Sequence, residues 1–304
     1  MAVLRSSGSF ASRFLYQLNR RGAGLFPFEF AQMLAIPPAD AVYALWQSKR
    51  RIAAANFAQV TGLPADDPRV ERLVRACFRH FGRYFAEALH LQSWDSETVL
   101  DRVAVEGEEN FALAADRGRG IVFVSGHMGS TEIAASLAVL RGYEIRAVVE
   151  ELSAGWLMDW IVRTRQAMGI TLVSAEGAGL GLIRTLRRGG MVAMVIDAGI
   201  ERPDSVAVRF FGRPALFPSG PARLARLTDA ALVFGLAVRR PGGLFKAYIC
   251  PPLLPDRDRP PDALPSRPGA ADAPDRRCVS LRAGGAPTRW SLQGVYLSAA
   301  AAGS

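Results

Sequence analysis

His127 and Glu132 are the pair whose residue types and spacing suit chemistry. A histidine near a carboxylate is the smallest general-base unit: the imidazole takes a proton, and the carboxylate orients the ring and offsets its charge. The pair sits in Gly120-Ile121-Val122-Phe123-Val124-Ser125-Gly126-His127-Met128-Gly129-Ser130-Thr131-Glu132. An apolar run rich in β-branched residues follows the turn-prone Arg117-Gly118-Arg119-Gly120, which predicts a buried strand. Gly126 and Gly129 then bracket the histidine, and Ser130 or Thr131 can cap a helix running through Ile133, Ala134, Leu137 and Leu140. His127 thus falls where a strand gives way to a helix, a common place for chemistry in α/β sheets. Glu132 lies in the first helical turn, where a carboxylate suits the helix dipole. A histidine with an acid five residues on also arises by accident, so the glycine-bracketed turn carries more weight than the spacing.

The flanking elements alternate. Val103-Ala104-Val105 reads as a strand and 110–115 as a helix. After the helix at 132–141, strands over 144–150, 170–173 and 191–196 alternate with helices over 156–168 and 180–188. Two more strands follow over 230–238 and 245–250. Strands separated by helices of this length mean βαβ units, so the expected fold is α/β: a mostly parallel central sheet flanked by helices. Gly177-Ala178-Gly179-Leu180-Gly181 lacks the dinucleotide-binding spacing and reads as a helix entry. Val206 to Pro214 reads as a strand entering a turn, and Phe217-Pro218-Ser219-Gly220-Pro221 opens a helix over 222–227. That turn offers free N–H groups to an anion, with Arg209, Arg213 and Arg223 around it.

The chain has 304 residues, 50% of them hydrophobic, and a formal net charge of +9. Broad disorder is excluded, and an anionic partner is favoured: nucleic acid, a membrane surface or a phosphorylated substrate. Lys49 and Lys246 are the only lysines, and no recognised nucleic-acid motif is present, so nucleic acid is not the expected partner. The three cysteines form no CxxC pair, and no metal is implied. No apolar run reaches the ~18 residues needed to span a bilayer.

Three parts are expected: an amphipathic helical segment over 1–64, an α/β domain over 65–254, and a largely disordered tail over 255–304, rich at first in Pro, Asp, Arg and Ala. Phe10, Phe14, Leu15 and Leu18, flanked by Arg13, Arg20 and Arg21, and later Tyr43, Leu45 and Trp46, suit a membrane-associating segment. The clearest helix starts at Asp67-Pro68. It places Val70, Val74, Cys77, Phe78, Phe81 and Phe85 on one face and Arg72, Arg75, Arg79 and Arg83 on another, which reads first as a solvated basic face over a core and second as a face for anionic lipid.

Together these residues resemble the bacterial lysophospholipid-acyltransferase-like superfamily, in the branch of the lipid A late acyltransferases and phosphatidylinositol mannoside acyltransferases. The resemblance rests on His127-x4-Glu132 after a Gly-Arg-Gly turn, on Asp197 ending a strand after Met194-Val195-Ile196, and on Phe210-Phe211-Gly212-Arg213-Pro214-Ala215 with Pro218-Ser219-Gly220-Pro221-Ala222-Arg223-Leu224-Ala225. It covers roughly residues 65–250. The chain departs from the family at Ser130 and Thr131, where the family has Asn-Trp, and at Ala198-Gly199, where a second acid is missing. The resemblance implies transfer of an acyl group from acyl-CoA or acyl carrier protein to a hydroxyl of a lipid or glycolipid, with no other cofactor. His127 would be the general base and Glu132 would hold its tautomer. Arg209, Arg213, Arg223, Asp197 and Ser130 would contact substrate. The expected location is peripheral, on the cytoplasmic face of the plasma (inner) membrane. An inactive lipid-binding protein of the same fold is the alternative.

Overall fold

The computed structural model describes residues 26–149, 155–175, 179–197, 205–211 and 213–255, with isolated positions 17 and 22. The N-terminal aromatics at 10–18 and the tail from 256 onward lie outside the described residues, as do the side chains of Arg209 and Arg213. A sheet of seven strands forms the centre, in the order β1-β9-β8-β2-β5-β3-β4. The strands are β1 (Val103–Glu106), β2 (Ile121–Ser125), β3 (Ile145–Val149), β4 (Ile170–Ser174), β5 (Met191–Val195), β8 (Ala231–Arg239) and β9 (Phe245–Ile249). All neighbours pair parallel except β8 with β9. The mostly parallel α/β sheet expected from the sequence is therefore what forms.

Successive residues of a strand face opposite sides, and β2 shows this directly. Ile121 joins a core under α6 (Glu108–Ala115), α7 (Thr131–Leu140) and α8 (Gly155–Ala167). Val122 and Val124 join another under α9 (Gly179–Arg187) and α10 (Gly220–Thr228). A strand buried on both faces has to be apolar throughout, which is why β2 reads as a continuous run rather than an alternation.

A layer of further helices covers the first face: α1 (Phe28–Leu34), α2 (Ile36–Leu45), α3 (Gln47–Thr61), α4 (Pro68–His90) and α5 (Ser96–Arg102). Asp67 caps α4, its side chain accepting from the Arg69 N–H at 2.7 Å. Phe28, Leu91 and Val99 pack on Ile133 and Leu137 of α7, and Phe85 of α4 meets Trp160 of α8 with ring centroids 5.8 Å apart. The expected solvated basic face of α4 is partly occupied: Arg75 and Arg79 both grip Asp40 of α2, at 3.1 and 2.7 Å. Those two guanidiniums hold the Asp40 carboxyl well below the usual carboxylate range. Helix α2 thereby turns its other side outward. Leu45 is 84% exposed and Met33 of α1 63% exposed, with Leu34 and Trp46 about half exposed.

Residues 213–218 correct one expectation. They are not a turn leading into a helix but a strand, β7 (Arg213–Pro218), paired antiparallel with β6 (Ser205–Phe210). A two-stranded hairpin has only edge strands, so Pro214 and Pro218 cost no ladder bond on an outer side. The hairpin reaches across to α3, where the Gln59 side chain donates to the Phe211 carbonyl.

Candidate active site

β2 ends at Ser125, and its parallel neighbour β5 ends at Val195, its register partner. Two residues further on, His127 and Asp197 therefore lie side by side. The His127 backbone N–H donates to Asp197 Oδ2 at 2.9 Å, and Nδ1 of the ring lies 2.7 Å from Oδ1. An ionised carboxylate only accepts, so Nδ1 carries the hydrogen and Nε2 presents its lone pair. The ring is 36% exposed, and no described residue bonds Nε2.

The two motif glycines make this approach possible. A Cβ at Gly126 would stand 3.0 Å from Asp197 Oδ2, and one at Gly129 would stand 1.8 Å from the carbonyl oxygen of Ala237 in β8. Gly129 also holds φ at +69°, a region that side chains avoid. Ser130 N–H then donates to the same Ala237 carbonyl at 2.8 Å. The histidine loop is thus fastened to both neighbouring strands.

Glu132 does not orient His127, contrary to the sequence expectation. It is the second residue of α7 and 4% exposed, turned inward beneath the outer helices. Arg165 of α8 donates to its Oε1 through Nε at 3.1 Å and Nη2 at 2.9 Å, and Thr131 Oγ1 donates to Oε2 at 2.7 Å. Tyr84 of α4 bonds it as well. Burial pushes its pKa up, but the Arg165 charge and these hydrogen bonds win, leaving it below the usual range of 4.5. Its role is to tie the helix after the histidine to α4 and α8.

Ser130 also departs from the expected substrate contact. It is 1% exposed and lies against Glu87 of α4. Glu87 is itself buried, which raises its pKa, and it is offset by Arg239 at the end of β8 and by Gln32 of α1, which donates to Oε1 at 3.0 Å. Arg239 reaches on to His80, where Nη1 and Nδ1 are 2.7 Å apart. This second buried pair leaves no local signal in the sequence, because Glu87 and Arg239 are 152 residues apart. Asp197 is taken up by the histidine. Arg223 is exposed on α10 with no ion pair among the described residues, and Arg209 and Arg213 stand on β6 and β7.

Residues 6–261 match the profile of the bacterial lipid A biosynthesis acyltransferases. The chain belongs to that family. Among curated proteins, this acyltransferase-family chain is 30% identical over 182 residues to the phosphatidylinositol mannoside acyltransferase of Mycolicibacterium smegmatis, covering 58% of the chain and 59% of that protein. It is 30% identical over 188 residues to the protein of the same name from Mycobacterium tuberculosis strain H37Rv, covering 59% and 58%. It therefore spans just under three fifths of the length of the relatives it matches.

Proposed function

We propose that the chain transfers an acyl group from an acyl thioester to a hydroxyl of a membrane lipid or glycolipid, with His127 as general base. The observation that carries this is the His127–Asp197 contact at 2.7 Å, which leaves Nε2 on the far side of a partly exposed ring from its orienting carboxylate. Nε2 takes the acceptor's hydroxyl proton as the oxygen attacks the thioester carbonyl. The C–O bond forms, the C–S bond breaks, and the departing thiolate takes the proton back from the imidazolium. Asp197 offsets the transient charge, and no covalent enzyme intermediate is required.

The two mycobacterial relatives favour a phosphatidylinositol-mannoside type of glycolipid as acceptor by their names. Arg209, Arg213 and Arg223 are the candidates to meet phosphate groups of donor or acceptor. The exposed Met33, Leu34, Leu45 and Trp46, with Lys49, Arg50 and Arg51 beside them, suit peripheral binding to an anionic membrane, which we assign to the cytoplasmic face of the plasma (inner) membrane.

The test is thiol release from palmitoyl-CoA, and separately from palmitoyl-acyl carrier protein, by the wild type and His127→Ala with a lipid extract as acceptor. A loss of about 10²–10⁴-fold in the variant with either donor is expected, together with labelled acyl-lipid product. Equal rates in wild type and variant with both donors would sink the assignment and leave a lipid-binding protein of this fold.

A further inference from the structure

The helix α9 ends in a concentration of positive charge that the acyl-transfer reading does not use. Arg184, Arg187 and Arg188 follow within five residues, all exposed, and none of their side chains has an ion pair or hydrogen bond among the described residues. Arg184 and Arg188 are one turn apart on the same face, so their guanidinium forks can close on one group. They line a cavity of about 140 Å³ with Glu144, Arg146, Gly181 and Thr185. A shallower depression of about 310 Å³ adjoins it, lined by Leu180, Ile183, Arg184, Arg187 and Arg188.

Charge within the first cavity is unbalanced. Glu144 is taken by Arg146, at 3.0 Å, so that pair is neutral and Arg184 and Arg188 remain uncompensated. A basic residue in the last turn suits the helix dipole, but that dipole amounts to only about half a charge. Three guanidiniums exceed it. Planar forks in a small, open, polar cavity match the tetrahedral oxygens of a phosphate, which takes them two bonds at a time.

The cavity lies at the far end of the sheet from His127. Glu144 precedes β3 and Arg188 precedes β5, whereas His127 follows β2, whose five residues span roughly 17 Å. It is therefore a separate site. We propose that the cavity between the end of α9 and the start of β3 binds a phosphate-bearing anion, a phosphomonoester or a diphosphate. The anion is held by Arg184 and Arg188, with Arg187 at the rim. Such a group comes either from a soluble phosphate compound or from a phosphomonoester lipid headgroup.

The test compares the full-length wild type with Arg184→Gln/Arg188→Gln in two arms. In one, inorganic pyrophosphate is titrated by calorimetry at low salt. In the other, the chain is sedimented with phosphatidylcholine vesicles with and without phosphatidic acid, and only the increment due to phosphatidic acid is read. A control variant, Arg72→Gln/Arg119→Gln, removes the same charge elsewhere. The expected result is an affinity at least tenfold weaker in the Arg184/Arg188 variant than in the control, in whichever arm the wild type binds. Pyrophosphate binding identifies a soluble ligand, and an increment on phosphatidic acid alone identifies a headgroup. A wild type that binds neither probe overturns the proposal, as does an Arg184/Arg188 variant that binds no more weakly than the control. Both arginines are exposed, so an unchanged Tm certifies the fold.

Discussion

Asp197→Asn is the most informative single change in the site. Asp197 accepts twice, from the His127 backbone N–H at 2.9 Å and from the ring Nδ1–H at 2.7 Å. Asparagine has one accepting oxygen and one donating NH2 group. If its oxygen keeps the ring, the NH2 faces a backbone N–H and that contact is lost. If its oxygen keeps the backbone, the NH2 meets Nδ1, and the ring must move its hydrogen to Nε2, where it can no longer take a proton. Losing one hydrogen bond to a charged group costs about 1.5–3 kcal/mol. At 1.36 kcal/mol per tenfold, that corresponds to roughly 10–150-fold in rate. The wrong tautomer costs more, up to about 10⁴-fold for the corresponding change in a serine protease. We expect kcat to fall by about 10²–10³-fold with the KM for the thioester little changed, since Asp197 is spent on the histidine. The assay is continuous thiol release, with Tm as the check on folding. Because both residues act through one imidazole, adding Asp197→Asn to His127→Ala should cost almost nothing further. A folded Asp197→Asn variant within threefold of wild-type kcat would refute the reasoning.

Glu132→Gln addresses the neighbouring carboxylate. It leaves the partly buried Arg165 without the counter-charge of the buried Glu132, at a cost of up to about 3–5 kcal/mol, and the expected drop in Tm is about 6–20 °C by calorimetry. A variant as stable as the wild type would remove Glu132 from the scaffold. The same residue sets a pH dependence: its folded pKa lies below its ordinary value of 4.5, so the stability it contributes is present above that value and is lost as pH falls through the folded one. Urea midpoints of wild type and Glu132→Gln should therefore converge on acidification below about pH 4.5, and a constant gap would contradict this. Leu45→Ser/Trp46→Ser should weaken sedimentation with anionic vesicles by about tenfold or more, since each side chain gives up about 1.5–3 kcal/mol of apolar burial. Unchanged sedimentation would rule out α2 as the membrane contact.

The local elements were largely legible. Asp67-Pro68 marks the start of α4, the β-branched run marks β2, and the alternation from Val103 to Ile249 marks the sheet. Short elements without periodicity were not: α5 carries no pattern that marks it, and the prolines around β7 read as turn signals although a hairpin edge accepts them. Within the site, the histidine and both acids were named, but the pairing was not. Glu132 is near His127 in sequence and is drawn inward by Arg165, 33 residues on. Asp197 is 70 residues away and reaches His127 only because β5 lies beside β2. Strand order is a property of the whole sheet, and no local pattern encodes it. An acid just past the end of a second buried strand was the one available hint.

The histidine loop is bolted to its surroundings through Asp197, through the Ala237 carbonyl and through the Glu132–Arg165 pair, whereas the β6–β7 hairpin is held to α3 by the bond from Gln59 to the Phe211 carbonyl. This separates what can vary from what cannot. A library seeking a new acyl chain or a new acceptor has little to gain between Gly126 and Glu132, where most replacements break an anchor. It should leave that frame alone and diversify the hairpin tip and the helix ends facing it, so that a new substrate is presented to an unaltered base.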